Sequence, residues 1–230
     1  MFQKTTLAAV ALCFLLATGG QGFAAKKKGK RKSSSSSTNK GFGAPPPTLD
    51  DVLAKFRTRL PDNPDTVPCP CGTGKTYGEC CGPLHRGQES CTTMTDVLRS
   101  RYSAFSFRNI KYVMDTTHKT CRDYREDRIA WAKDLNKGGM FDSFEFTKLE
   151  AGPEEASSDD ENEGFMEFKV TLTAKKDDFV TDATAALAGQ ETVISERSRF
   201  LRDAEDGTWL YASGDVRSEV VGLEDTTLNI

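Results

Sequence analysis

Four of the chain's seven cysteines fall within thirteen positions: Cys69-Pro70-Cys71, eight residues, then Cys80-Cys81. Thiolates at such short spacing are the usual way a small loop captures zinc, which takes four ligands in a tetrahedron at about 2.3 Å when sulfur supplies them. The chain between the two pairs must fold back sharply, and Gly72, Gly74 and Gly78 permit that turn. Four thiolates around a dication leave a formal charge of −2, which Lys75 and Arg86 are near enough in sequence to soften. With every ligand position filled, such a site is structural, contributing roughly 10 kcal/mol or more to a segment with little apolar core of its own. The same thiols also admit a disulfide framework, with pairing across the loop, or a redox role. A phosphate loop at Gly72-Thr73-Gly74-Lys75-Thr76 is excluded, because Cys69 stands where that pattern requires glycine.

The first 47 residues carry addressing chemistry. Lys4, an apolar run over 7–17 and the small residues Gly19-Gly20-Gln21-Gly22 form a signal-peptide pattern over 1–22. Residues 23–47 are a basic, serine-rich, transit-like segment and linker, with no acid before Asp50. This two-part leader resembles the plastid presequences of algae with complex plastids, in which Phe23 would follow the cleavage point. That implies a plastid address, with secretion or an endomembrane compartment as the alternative. Cleavage would remove Cys13 and leave no membrane-spanning segment, since eleven apolar residues are too few. The first 49 residues hold eight of the 31 basic residues and none of the 34 acids, so residues 50–230 carry a net charge of −11. An acidic body argues against a grip on nucleic acid.

The elements that must position the thiols follow from periodicity. Residues 48–60 read as a helix capped by Thr48 or Asp50, and 61–68 as its break. The knuckle occupies 69–91. In the domain over 92–216, Thr95 or Asp96 caps a helix with Val97, Leu98, Tyr102 and Phe105 on one face; further helices are expected over 110–116 and 123–135. From Ser143 the period changes to that of strands. Residues 151–163 read as a solvated acidic loop, 164–174 as a strand with Met166, Phe168, Val170 and Leu172 on one face, and 175–190 as a long loop or short helix. Strands over 191–202 and 208–213 are joined by the turn Ala204-Glu205-Asp206-Gly207, and 217–230 is a tail. Helices followed by antiparallel strands make an α+β fold.

The cysteine segment, Cys-Pro-Cys-Gly-x-Gly-Lys-x-Tyr followed by Cys-Cys-Gly, resembles the SEC-C motif, whose zinc ligands correspond to Cys69, Cys71, Cys80 and Cys81. Three blocks extend the likeness to residues 69–215: Leu98-Arg99-Ser100-Arg101-Tyr102-Ser103-Ala104-Phe105, Gly164-Phe165-x-Glu167-Phe168, and Glu196-Arg197-Ser198-Arg199-Phe200 ahead of Trp209-x-Tyr211-x-x-Gly214. In that order they resemble the YchJ family. The resemblance implies a nuclear-transport-factor-two-like (NTF2-like) cone, a bent antiparallel sheet wrapped by helices around an internal cavity. Two features depart from the family pattern: the tail has no cysteine for a second knuckle, and Thr117-His118-Lys119 stands where the family shows Trp-His-Pro.

The resemblance implies a fold and a metal rather than a reaction. The expectation is a zinc-binding, non-enzymatic adaptor whose knuckle contacts a protein partner and whose cone takes a small molecule or peptide. Arg101, Glu196, Arg199, Trp209 and Tyr211 are the candidate ligand-binding residues. The alternative is an enzyme using the cone cavity, with His118 as proton carrier and Glu196 or Glu167 orienting it. Competing structural roles are an ion pair of Arg99 or Arg101 with Glu196, and a helix-end role for His118. Cys91 and Cys121 stand as buried thiols, a redox pair or auxiliary ligands.

Overall fold

Capping decides where most helices begin. In the computed structural model, which describes residues 45–175 and 189–220, Thr48 and Asp51 close a reciprocal capping box on α1 (Leu49–Leu53). The expected helix to residue 60 stops short for a tertiary reason. The Arg59 N–H donates to the Phe107 carbonyl at 2.8 Å, and its guanidinium reaches the Ser106 and Phe141 carbonyls, which draws 57–60 straight. A five-residue helix, α2 (Cys81–His85), leaves the knuckle. α3 (Met94–Phe107) starts at a Thr93–Asp96 capping box, two residues ahead of the expected cap. α4 (Ile110–Asp115) is capped by Asn109. α5 (Arg128–Lys137) begins at its cap Asp127, later than residue 123, and α6 (Met140–Ser143) was not expected. The expected signal and transit-like segments, residues 176–188 and the last ten residues lie outside the described part.

α3 ends at Arg108, whose φ of 58° is left-handed, a conformation costing a non-glycine residue about 1 kcal/mol or more. Its guanidinium offsets this by donating to Asp142, to the Asn136 side chain and carbonyl, and to the Arg57 carbonyl. One side chain thus ties the segment after α1 to α5 and α6.

The four strands form an antiparallel meander in chain order: β1 (Phe144–Ala156), β2 (Glu163–Ala174), β3 (Glu191–Arg202) and β4 (Trp209–Val220). β2 and β3 match the expected spans to within a residue. β1 runs on through residues 151–156, expected as loop, with bulges that bend it, and only 157–162 form the hairpin turn. β4 runs seven residues past the expected end. Alternation sends Met166, Phe168, Val170 and Leu172 of β2, and Ile194, Glu196, Ser198 and Phe200 of β3, to the helix side. There they meet α3, with Phe105 stacked between Phe141 and Phe146 at 5.2 and 6.0 Å. Each large apolar side chain so removed from water contributes about 1.5–3 kcal/mol. Among the described residues no helix is long and apolar enough to cross a membrane.

Candidate metal centre

The knuckle is a tight hairpin. Pro68 and Thr76 bridge antiparallel, and the Cys69 N–H donates to the Lys75 carbonyl at 2.9 Å. Gly72 and Gly74 take φ of 80° and 79°, so a side chain at either would be strained. The fold-back brings the sulfurs of Cys69, Cys71, Cys80 and Cys81 within 4.8 Å of one another. Tetrahedral ligands at about 2.3 Å from a metal lie about 3.8 Å apart. The Cys71–Cys80 and Cys80–Cys81 sulfurs are at 3.4 and 3.9 Å. All six described cysteines are free thiols, and the cluster has the size of a four-sulfur metal site rather than of a disulfide, whose sulfurs sit at about 2.05 Å.

The four thiols compete for protons through their mutual hydrogen bonds. Cys71, accepting from Cys69 and Cys81, is held far below its ordinary value; donating to Cys71 pushes Cys69 up to about 12, and Cys81 is driven higher still by its hydrogen bonds to Cys69 first and Cys71 second. A metal ion relieves that competition by taking every sulfur as thiolate. Thr73, which sequence reasoning passed over, sets its hydroxyl 3.1 Å from the Cys80 sulfur and 3.5 Å from that of Cys71.

Two α3-side contacts fix the knuckle to the cone. Arg99 donates to the Cys71 carbonyl at 2.6 Å, so it serves the knuckle and not the expected pair with Glu196. His85 faces the Ser100 carbonyl at 2.9 Å through Nε2, which therefore carries the proton, leaving Nδ1 to accept from the Tyr77 hydroxyl at 2.9 Å. Burial lowers the His85 pKa to about 4, so it stays neutral at physiological pH. His85→Ala is expected to cost about 3 kcal/mol by leaving Tyr77 without its acceptor and α2 without its anchor. Urea titration of metal-loaded protein checks this; a change under 1 kcal/mol would deny the coupling.

A groove of about 540 Å³ runs beside the exposed flank of the thiols, walled by Thr73, Lys75, Glu79, Leu84, Asp96 and Arg99. Lys75 thus lies close to the cluster, as expected, whereas Arg86 turns to Gln88.

The cone interior differs from expectation. Arg101, Glu196 and Tyr211 do converge, with Ser198, Leu98, Phe168 and Phe200, but around a cavity of about 10 Å³, which is room for one water and not for a metabolite or peptide. Arg199 and Trp209 are not among them. Arg199 points to the opposite sheet face and pairs with Glu163, and Trp209 is buried under the Arg202 guanidinium. Glu167 is exposed on that outer face. His118 and Glu196 belong to separate networks. His118 Nδ1 bonds Thr120, and its N–H donates to the Tyr211 carbonyl, opposite Phe200 and so four residues, roughly 13 Å of strand, from Glu196. The expected acid–base pair is therefore not assembled. Cys91 is buried against the Tyr112 hydroxyl at 3.3 Å, and Cys121 is buried apart from the thiol cluster, so neither is an auxiliary ligand.

Burial pushes the Glu196 carboxyl up to about 7, against the downward pull of the Ser198 hydrogen bond and of Arg101; Asp215 adds to the rise. Between about pH 4.5 and 7 the folded chain keeps a proton that the unfolded chain has released, so this group's contribution to stability falls as pH rises through that window, by about 3 kcal/mol. His85, with its lowered pKa, acts in the opposite sense over nearly the same range. The Glu196 contribution is therefore read as the difference between wild type and Glu196→Gln, which should widen in the variant's favour from pH 4.5 to 7 and stay constant above. A pH-independent difference would contradict it.

Residues 66–83 match the SEC-C motif, and residues 93–214 match the family model described as YchJ, middle NTF2-like domain. The chain is 34% identical to a UPF0225 protein of Vibrio parahaemolyticus over 66% of its own length and 76% of the relative's. A UPF0225 protein of Vibrio vulnificus shows the same identity and coverage. The solution structure of a SEC-C motif containing protein from Rhodopseudomonas palustris aligns with a TM-score of 0.49 at 27% identity, covering 65% of this chain and 98% of that one.

Proposed function

Because the chain belongs to the YchJ family, with a SEC-C motif ahead of its NTF2-like middle domain, we propose that it is a zinc-stabilised adaptor whose knuckle docks a protein partner. The observation that carries this reading is the four-thiol cluster, sized for a tetrahedral ion, set directly beside the 540 Å³ groove. Four sulfurs and no open coordination position favour zinc in a structural role. The groove presents carboxylates from Glu79 and Asp96 and cations from Lys75 and Arg99, which suits a polar protein surface better than a lipid or an apolar cofactor.

The test compares wild type with Cys80→Ser and Lys75→Glu in a saturable binding assay against proteins retained from the source cell. Cys80→Ser should lose both metal and retention, and Lys75→Glu should lose retention with metal intact. Sheet circular dichroism should persist in both. Equal retention by all three proteins would remove the knuckle from the function.

A further inference from the structure

The β1–β2 hairpin turns through Ser157-Ser158-Asp159-Asp160-Glu161-Asn162, and Ser158, Asp159, Asp160 and Glu161 are all exposed. We propose that Ser158 is a phosphorylation site for a serine kinase that reads carboxylates on the carboxyl side of its target. A kinase of that class binds such carboxylates with lysine and arginine side chains through charge-assisted hydrogen bonds. Here three consecutive carboxylates follow the acceptor, and among the described residues none of them is engaged in an ion pair.

The structure separates the two adjacent serines. Ser158 is exposed, and its hydroxyl is bonded only to the neighbouring Asp159 carboxylate at 2.9 Å. Ser157 is half-buried, donates to Glu163 at 3.0 Å and accepts the Asp159 N–H. The turn lies beyond the last β1–β2 pair, Ala156 with Gly164; the Ser157 N–H to the Glu163 carbonyl at 3.0 Å, the Glu163 N–H to the Asp160 carbonyl at 3.1 Å and the Arg202 N–H to the Asn162 carbonyl at 2.9 Å hold its ends, so drawing Ser158 into a kinase cleft loosens those turn bonds and leaves the ladder paired. In the reaction the Ser158 Oγ attacks the γ-phosphorus of ATP. The new O–P bond forms as the bond to the departing ADP oxygen breaks, and the hydroxyl proton passes to the kinase's catalytic base.

The phosphate would add nearly two negative charges to a tip that already holds three carboxylates. The root of the same hairpin touches the first turn of α3: Glu154 accepts the Thr95 N–H at 2.7 Å, and Gly164 lies under the Met94 sulfur. The modification therefore sits on the arm braced against the segment that leaves the knuckle.

The experiment incubates the full chain with ATP and an acid-directed serine kinase and locates phosphate by peptide mass spectrometry. One phosphate at Ser158 is expected, lost in Ser158→Ala and kept in Ser157→Ala, with unchanged melting of both variants as the folding control. Neutralising the reader's carboxylates with Asp160→Asn and Glu161→Gln together should slow incorporation roughly tenfold or more. No incorporation, phosphate on Ser157 instead, or a rate indifferent to those two carboxylates would overturn the proposal. None of these outcomes depends on whether the knuckle binds a partner.

Discussion

Cys81→Ser is expected to release the metal and cost more than about 5 kcal/mol of stability, the largest loss available to a single substitution here. Cys81 is 2% exposed and opens α2, and its sulfur is one of the four within 4.8 Å. The knuckle has little to fall back on without the ion. Its buried apolar content is Tyr77 and the cysteines themselves, with Leu84 half-buried beside them, and its hairpin is closed by the one Pro68–Thr76 bridge. The damage should spread, because Cys71, Cys81 and Tyr77 belong to one buried cluster with Val97, Leu98 and Tyr102 of α3. Metal analysis should give one zinc per wild-type chain and none in the variant. Hydrogen exchange should show protection lost first over 66–91 and then weakened along α3. An unaltered melting temperature in the metal-free variant would mean that the cluster is not structural. Cys80→Ser should be milder, since Cys80 is the least buried of the four.

Arg101→Ala should destabilise the chain by about 4 kcal/mol, a cost set by the buried groups around Arg101. The guanidinium is 4% exposed. Its Nη1 alone serves the Val113 carbonyl at 2.8 Å, the Thr116 hydroxyl at 2.8 Å and the Thr117 hydroxyl at 3.1 Å, while its plane lies 4.8 Å from the Tyr211 ring centre. Burial pulls its pKa down to about 10, which still leaves it charged at neutral pH. Truncation leaves a cavity, strips three acceptors and removes the positive charge that steadies Glu196. The last effect gives the prediction its signature. Arg101→Met combined with Glu196→Gln should recover 1 kcal/mol or more relative to the sum of the single variants, measured in a double-mutant cycle by urea titration. Strict additivity would mean that the two groups do not sense each other.

Much of this was legible because it is local. The cysteine spacing encodes the four-thiol cluster, since all four cysteines lie in one short loop. The β2 run Met166, Phe168, Val170, Leu172 encodes its own buried face, and β3 was equally readable. β4 was not. Past residue 213 it reads Gly214, Asp215, Val216, Arg217, Ser218, with no alternation of large apolar groups. The reason is on the neighbouring strand: a Cβ at Gly214 would lie 2.0 Å from the Glu196 Oε1, so Glu196 occupies the volume that a β4 side chain would otherwise fill. A buried carboxylate on β3 thus erases the strand signal of β4. Residues 151–156 were missed for a related cause. There β1 is an exposed edge outside the helix layer, and its polar side chains carry no periodicity. The expected His118–Glu196 pair failed because spacing along one chain gives no measure of distance across a sheet. Arg99 and Arg101, two residues apart on α3, face different neighbours for the simple reason that a helix turns 100° per residue.

β4 also closes the molecule onto its own beginning. The Trp209 N–H answers the Cys91 carbonyl at 3.0 Å, the Tyr211 N–H answers Thr116 at 3.0 Å, and the Tyr211 carbonyl receives the His118 N–H at 2.8 Å. Those three contacts join the strand made last to the exit of the knuckle and the end of α4. During synthesis the knuckle and helices emerge well before their clasp, so a ribosome-bound or prematurely terminated chain leaves these backbone groups unanswered and the inner sheet face uncovered. Completion is thereby written into the hydrogen-bond pattern. A protease that samples nascent chains would meet an open form until Tyr211 has emerged from the ribosome, and a closed one afterwards.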